Sequence, residues 1–343
     1  MKLLTIILLA ILIIIIIIFA IAAYLARFMA RPKLQTRESE TNYAKENGLW
    51  DDYDKLQTQT YDITSFDGYL LKAEFIPAPG GSTVAEIQTT VAGRQSTDAG
   101  KQTTGAMKDA SNRKSDKYVI ISHGYSGNRF GSVKYVNLYR KLGFNCLIFD
   151  NRGHGENMKA PCTMGYKESR DLMSVIDHVY ERFGDDIILG LHGESMGSGM
   201  TVNALQYSPK VKFIVSDCGY NDLKALLMDL VGRKAPFAKF IVYPASLISK
   251  IFYGYYISEV SPKRYVAYNE IPILYVHGRE DRFIPVHHAQ EMFELNNAHV
   301  RNTGRGTCKL SIYENAHHAG SIVTDREGYL NMLRDFLEGI GII

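Results

Sequence analysis

Hydrophobic positions fall along this chain in three different arrangements. From Leu3 to Leu25 there is no charge, and the stretch contains an unbroken isoleucine run from Ile13 to Ile18. About 20 apolar residues cross the hydrocarbon of a bilayer as a helix, so residues 1–30 are expected to form a transmembrane anchor. A cleaved signal peptide has a shorter apolar core, which favours an uncleaved helix despite the small residues of Ala20-Ile21-Ala22. Further on, short apolar runs rich in β-formers alternate with helical patterns. Tyr69 to Ile76, Lys117 to Ser122, Phe144 to Phe149, Asp186 to Leu191, Val211 to Ser216, Ile271 to Gly278 and Lys309 to Tyr313 read as strands. Ser132 to Lys141 and Glu168 to Phe183 read as crossover helices, the second with Leu172, Val175, Ile176 and Val179 at helical spacing. That alternation predicts an α/β domain over 57–343, with a mostly parallel central sheet flanked by helices.

The third arrangement lies between residues 220 and 270, where Leu226, Leu227, Leu230, Phe237, Phe240, Leu247, Ile251 and Phe252 crowd into one excursion. It suits a small helical cap over the active site, or else a pair of helices covering the sheet. A cap of this composition favours an apolar acyl or aryl group, and Lys234, Lys239 and Lys250 would draw it to an anionic bilayer surface. Two polar segments complete the organisation. Residues 31–56 are expected to be a linker and short polar helix spacing the body from the membrane. Residues 79–116, rich in Gly, Ser, Thr, Gln and Ala, are expected to be a flexible surface insertion, because that composition buries too little area to fold alone.

The chemistry concentrates where strands end. Gly193-Glu194-Ser195-Met196-Gly197 follows an apolar strand, and its glycines permit the sharp strand-to-helix turn that lifts a serine hydroxyl clear of a sheet. Ser195 is the candidate nucleophile. A serine hydroxyl needs an imidazole to take its proton and a carboxylate to orient that imidazole. Asp281 follows the strand ending at Gly278 in a tight loop closed by Pro285, and is preferred as the acid to Asp217, which ends the preceding apolar run. His317 and His318 follow the last strand, and only one of two adjacent residues on an extended loop can point into the site. The oxyanion hole is expected from the amide of Met196 and that of Tyr125 in the loop His123-Gly124-Tyr125-Ser126-Gly127. His123 is expected to brace loops rather than react, and Asp150 and Arg152 to pair and hold the loop after the Phe144 to Phe149 strand.

These motifs together resemble the α/β-hydrolase superfamily from about Tyr61 to the C-terminus, less the insertion. HGYSG (123–127), DNRGHGEN (150–157), GYKESRD (165–171), GESMG (193–197), HGREDRFIP (277–285) and NAHHAGS (315–321) are similar to the successive motifs of its serine aminopeptidase and carboxylesterase branch. More narrowly, the chain resembles bacterial membrane-anchored hydrolases of the YqkD type. The resemblance implies an α/β-hydrolase fold and the triad Ser195, Asp281, His318. His318 fits because the pattern places a small residue and then a serine after the base, as Ala319 and Ser321 do here.

Composition narrows the function classes. A net charge of +3 without a basic stripe sets nucleic acid aside, and no cofactor motif or metal-ligand spacing is evident. Cys146, Cys162, Cys218 and Cys308 lack framework spacing and are expected to be free thiols. The count of basic residues, Lys2 before the apolar helix against Arg27, Arg31, Lys33 and Arg37 after it, puts the catalytic domain on the cytoplasmic side. The expectation is a membrane-anchored serine hydrolase cleaving small or acyl-chain carboxylic esters. An amidase or peptidase on small substrates, and a catalytically silent anchored interaction protein, are the alternatives. Oligomeric state leaves no mark in the sequence.

Overall fold

In the computed structural model, which describes residues 2–80, 115–233 and 235–343, eight strands form one sheet in the order β1-β2-β4-β3-β5-β6-β7-β8. The strands are β1 (Gln59–Thr64), β2 (Leu70–Ile76), β3 (Lys117–Ser122), β4 (Asn145–Phe149), β5 (Ile188–Glu194), β6 (Phe213–Asp217), β7 (Ile273–Gly278) and β8 (Cys308–Tyr313). β2 pairs antiparallel with both β1 and β4, and every other pair is parallel. The central strands carry continuous apolar runs because helices cover both of their faces. On one side α3 (Val133–Lys141) and α9 (Arg326–Gly339) bury Val136, Tyr139, Leu333 and Phe336 against the sheet. On the other, α4 (Tyr166–Phe183) buries the expected stripe of Leu172, Val175, Ile176 and Val179. Between them β3 and β5 lie side by side, although the chain visits β4 in the interval. The strand order therefore switches at that point, and the loops after β3 and β5 open a crevice at their carboxyl ends.

β1 was not among the expected strands, since no apolar run announces it. Its sequence QTYDIT alternates polar and half-buried positions, as suits the exposed edge of a sheet. The insertion expected over 79–116 lies, from 81 to 114, outside the described residues.

α1 (Lys2–Ala30) is long and apolar enough to cross a membrane, and its side chains from Leu3 to Phe19 are mostly exposed. Its last two turns are different. Ala22, Ala26, Met29 and Ala30 are buried, and they pack chiefly on α7 (Val242–Tyr253). Small residues at Ala22 and Ala26 let the two backbones approach. With α6 (Leu223–Gly232), α7 makes up most of the expected excursion between β6 and β7. Leu223, Leu226, Val242 and Ala245 from this excursion share one apolar cluster with Ala22 and Met29 of α1 and with Met164, Met196 and Ile284 from the body. The excursion, called the cap below, is thus a helical layer packed jointly with the end of α1.

Residues 31–56 contain the expected short polar helix, but the segment docks on the body. They form α2 (Arg37–Glu46), started by the Thr36 hydroxyl accepting from the Ser39 amide at 3.1 Å, and then turn back into the body. Ala44, Leu49, Trp50 and Tyr53 are buried in the cluster shared with α3 and α9. This correction has a simple cause: the few apolar residues of a polar segment are enough to dock it when they share one face.

Candidate active site

β5 ends at Glu194 and α5 (Met196–Asn203) starts two residues later, so the chain must reverse within Ser195. The serine adopts φ 57° and ψ −117°, a conformation that costs energy for any residue with a side chain. Its flanking glycines are dictated by space. A Cβ at Gly193 would land on the carbonyl of Gly197, and one at Gly197 on the carbonyl of Ser122. The turn is held from below by the Ser195 amide, which donates to the Asp217 carbonyl at 2.8 Å.

The Ser195 hydroxyl donates to His318 Nε2 at 2.9 Å, and His318 Nδ1 donates to Asp281 Oδ2 at 2.6 Å. Asp281 is otherwise fully engaged. Its Oδ1 accepts the amides of Phe283 and Ile284 at 2.8 Å each, and His277 Nε2 stands 3.3 Å from Oδ2. Burial alone would raise this carboxyl, but the hydrogen bonds from His277 and His318 outweigh it and hold Asp281 well below the usual carboxylate range. His317 turns outward, where its exposed ring faces the Glu280 carbonyl at 3.3 Å. The next residue but one, Ala319, has φ 56°, so the backbone reverses immediately after His318.

Asp217, whose carbonyl holds the Ser195 amide, turns its carboxyl toward two tyrosines. It accepts the hydroxyl of Tyr329 at 2.7 Å, stands 3.0 Å from the Tyr135 oxygen, and makes no hydrogen bond with either histidine of the 317–318 pair. Burial and the neighbouring charge of Glu194 push its carboxyl up to about 6. It neither orients a base nor caps the turn that follows it.

The loop after β3 lies against Ser195: a Cβ on Gly124 would stand 3.2 Å from that of Ser195. Tyr125 follows in that loop, and Met196 opens α5, where a helix's first amides have no partner within the helix. The fold brings both expected oxyanion donors beside Ser195. The Tyr125 hydroxyl reaches away to donate to the Phe28 carbonyl of α1 at 2.5 Å. His123 is buried and neutral, lowered by burial to about 3, and ties its own loop to the next one: Nδ1 donates to the Gly124 carbonyl at 2.8 Å, and Nε2 accepts the Asn151 amide at 2.9 Å. Asp150 and Arg152 do hold their loop, but not by pairing. Asp150 takes Arg129, and Arg152 takes Asp67 and Asp171, because the chain turns between them and sends the side chains apart.

A cavity of about 180 Å³ opens at Ser195 and His318. Among the described residues, none from the excursion between 220 and 270 lines it. Its far wall is Gln35, Glu40 and Tyr43 of the N-terminal segment, and its floor includes Lys134 and Glu194. Lys134 and Glu194 form an ion pair, and the Tyr135 hydroxyl donates to the same carboxylate at 2.5 Å. Burial, helped by the charge of Glu194, pushes Glu40 up to about 7. The sequence carried no signal for these groups, since their encounter depends on α2 folding back over the site.

Among the described residues, two sets place three ligand-type side chains within 4.8 Å of one another. Cys218, Asp281 and His318 are one; here the acid and imidazole are already bonded to each other, and burial raises the Cys218 thiol. Asp229, His287 and His288 are the other, a grouping invisible to sequence spacing because Asp229 comes from the cap. All four cysteines are free thiols.

Comparison with known proteins places this geometry in context. Residues 131–340 match the prolyl oligopeptidase family. The uncharacterized protein YqkD of Bacillus subtilis is 31% identical over 228 residues, which span 65% of this chain and 71% of that protein. A lysophosphatidylserine lipase, ABHD12 of Xenopus tropicalis, is 25% identical over 189 residues, 52% of this chain and 46% of that one. Among solved structures, an esterase of Pyrococcus furiosus superimposes with a TM-score of 0.60 at 23% identity, covering 85% of this chain and 96% of the esterase.

Proposed function

The chain belongs to the prolyl oligopeptidase family of α/β-hydrolases, and on that premise we propose that it is a membrane-anchored serine hydrolase cleaving carboxylic esters of acyl-chain substrates. The observation that carries this reading is the continuous hydrogen-bonded line from Ser195 through His318 to a permanently ionised Asp281. Ser195 Oγ attacks the ester carbonyl while its proton passes to His318 Nε2. The amides of Tyr125 and Met196 hold the oxyanion, and collapse expels the alcohol, which leaves with the proton from His318. Water then attacks the acyl-enzyme with His318 as base, releasing the acid and restoring the serine.

Esters are favoured over amides because an alkoxide leaves with less help than an amine, and because two similar proteins bear the names esterase and lipase. The family name speaks for an amide, so the two must be separated directly. A panel of p-nitrophenyl esters of rising chain length, run beside aminoacyl anilides, is expected to show ester turnover that peaks with a medium acyl chain. Faster turnover of the anilides would make the protein an amidase.

The bilayer reading rests on α1 and the cap. About 20 residues at 1.5 Å each span the hydrocarbon, which leaves the last turns of this 29-residue helix in the headgroup zone. Those turns hold the cap, whose Phe237, Phe240, Ile251 and Phe252 are exposed beside them; Phe252 is 72% exposed. The cap therefore rests on the membrane surface, with the oxyanion loop tied to Phe28 just inside it, and substrate reaches Ser195 from the lipid side. Arg27 in the last turn of the helix, with Arg31 and Lys33 just after it, favours the cytoplasmic leaflet for the body side. A chain cut before Ala20 is expected to keep short-ester turnover, whereas one cut at residue 33 loses the seat of Tyr125 and most of the activity. Equal activity in both truncations would remove α1 from the account of the site.

A further inference from the structure

Two adjacent imidazoles and a carboxylate meet behind the loop that carries Asp281. Asp229 belongs to α6 in the cap, while His287 and His288 open α8 (His287–Thr303) directly after that loop. His287 Nε2 stands 3.2 Å from Asp229 Oδ2, and His288 Nε2 stands 3.4 Å from the same oxygen.

The surroundings fix which nitrogen of His288 bears the proton. Lys263 pairs with one Glu291 oxygen at 3.0 Å, and the Asn221 side-chain amide nitrogen donates to the other. Asn221 Oδ1 must then be the atom that faces His288 Nδ1, at 2.5 Å, and it accepts the ring proton. The Asn221 backbone amide also points at this nitrogen, but at 3.4 Å it is much the longer contact. The proton on Nδ1 leaves a lone pair on Nε2. This side chain is fully buried, and Nε2 has no hydrogen-bond partner.

A buried lone pair thus looks at a carboxylate oxygen with nothing between them. Two acceptors so placed repel unless a cation joins them. The spacing suits one, since ligand atoms about 2.0–2.1 Å from a tetrahedral zinc stand roughly 3.3 Å apart. The hydrogen bond from Nδ1 to Asn221 is also the arrangement that orients imidazoles on metals.

We propose that Asp229, His287 and His288 form a binding site for a divalent transition cation of the zinc type, with water completing its coordination. Two imidazoles disfavour magnesium and calcium, which take oxygen ligands. The ion staples α6 of the cap to the first turn of α8, and so to the loop whose Phe283 and Ile284 amides hold Asp281.

The test uses the untagged full-length protein in detergent, stripped with a chelator, dialysed against Zn²⁺, and measured for bound metal by mass spectrometry and for Tm. The wild type is expected to retain about one zinc per chain and to gain several degrees in Tm. His287→Ala, at an exposed position, and Asp229→Asn are each expected to lose that zinc while matching the chelated wild type in circular dichroism. A wild type that retains no zinc overturns the proposal, and so does zinc retained in both variants, because the metal would then sit elsewhere. Neither readout depends on catalysis, so the site stands or falls apart from the esterase reading.

Discussion

Asp217 and Asp281 close neighbouring strands, one as the last residue of β6 and the other just past β7, yet their surroundings drive them in opposite directions. Both are buried, and burial raises both. At Asp217 burial and the charge of Glu194 outweigh the lowering effect of the tyrosine hydroxyls beside it, so its carboxyl stays up at about 6. Asp281 receives two backbone amides and two imidazoles and is held far down. A carboxylate that remains charged at every working pH can fix the tautomer of His318 and steady its imidazolium; one that hovers near neutrality cannot. The donors around an acid, more than its position in the sheet, decide its role.

Breaking the first acid should have the largest effect. Asp281→Asn leaves the geometry in place but lets His318 settle in the wrong tautomer, and kcat on a p-nitrophenyl ester is expected to fall by about 10⁴ with KM little changed. Asp217→Asn is expected to stay within about tenfold of wild type in the same assay. If the two losses were equal, the assignment of the acid would be undone.

His277→Phe sharpens the contrast by removing one of the donors that hold Asp281 down. It also removes a hydrogen bond at 2.8 Å to the Ile284 carbonyl, and together these should cost about 1.5–3 kcal/mol in chemical denaturation. The sign with pH follows from the lowered Asp281. Its contribution is complete above the unfolded carboxylate value of about 3.9 and is lost as pH falls through the folded one, so the variant should be nearest to wild type in strong acid. A deficit that grows on acidification would contradict this.

The raised carboxyls behave in the reverse sense. Between about 3.9 and about 6 the unfolded chain has released the Asp217 proton and the folded chain has not, so stability falls as pH rises through that window. Asp217→Asn should flatten that part of the profile, whatever it does to the baseline. Glu40→Gln should flatten a decline that continues to about 7. Urea midpoints measured from pH 4 to pH 8 would check both, and an unchanged slope in either variant would mean that the group is charged in the fold throughout.

Most of the scaffold was legible because its signals are local. Continuous apolar runs marked the central strands, the spacing of Leu172, Val175, Ile176 and Val179 marked α4, and the glycines around Ser195 announced a turn that no Cβ would permit. The edge strand β1 escaped notice because half of its side chains face water. What depends on distant segments meeting was not legible. Nothing in the polar stretch around Glu40 says that it folds over the catalytic cavity, and nothing in Asp229 says that it meets His287 and His288. The two histidine pairs make the same point. His317 and His318 diverge on a loop that reverses at Ala319, whereas His287 and His288 stack with ring centroids 4.4 Å apart at a helix start.

The central claim is that Ser195 is made nucleophilic by its place at the end of this relay. Intact and peptide mass spectrometry after treatment with a fluorophosphonate tests it most directly. One adduct per chain, located on Ser195 and lost in Ser195→Ala and on prior denaturation, is the predicted result. A folded wild type that stays unmodified, or that carries its adduct on another residue, would contradict the account.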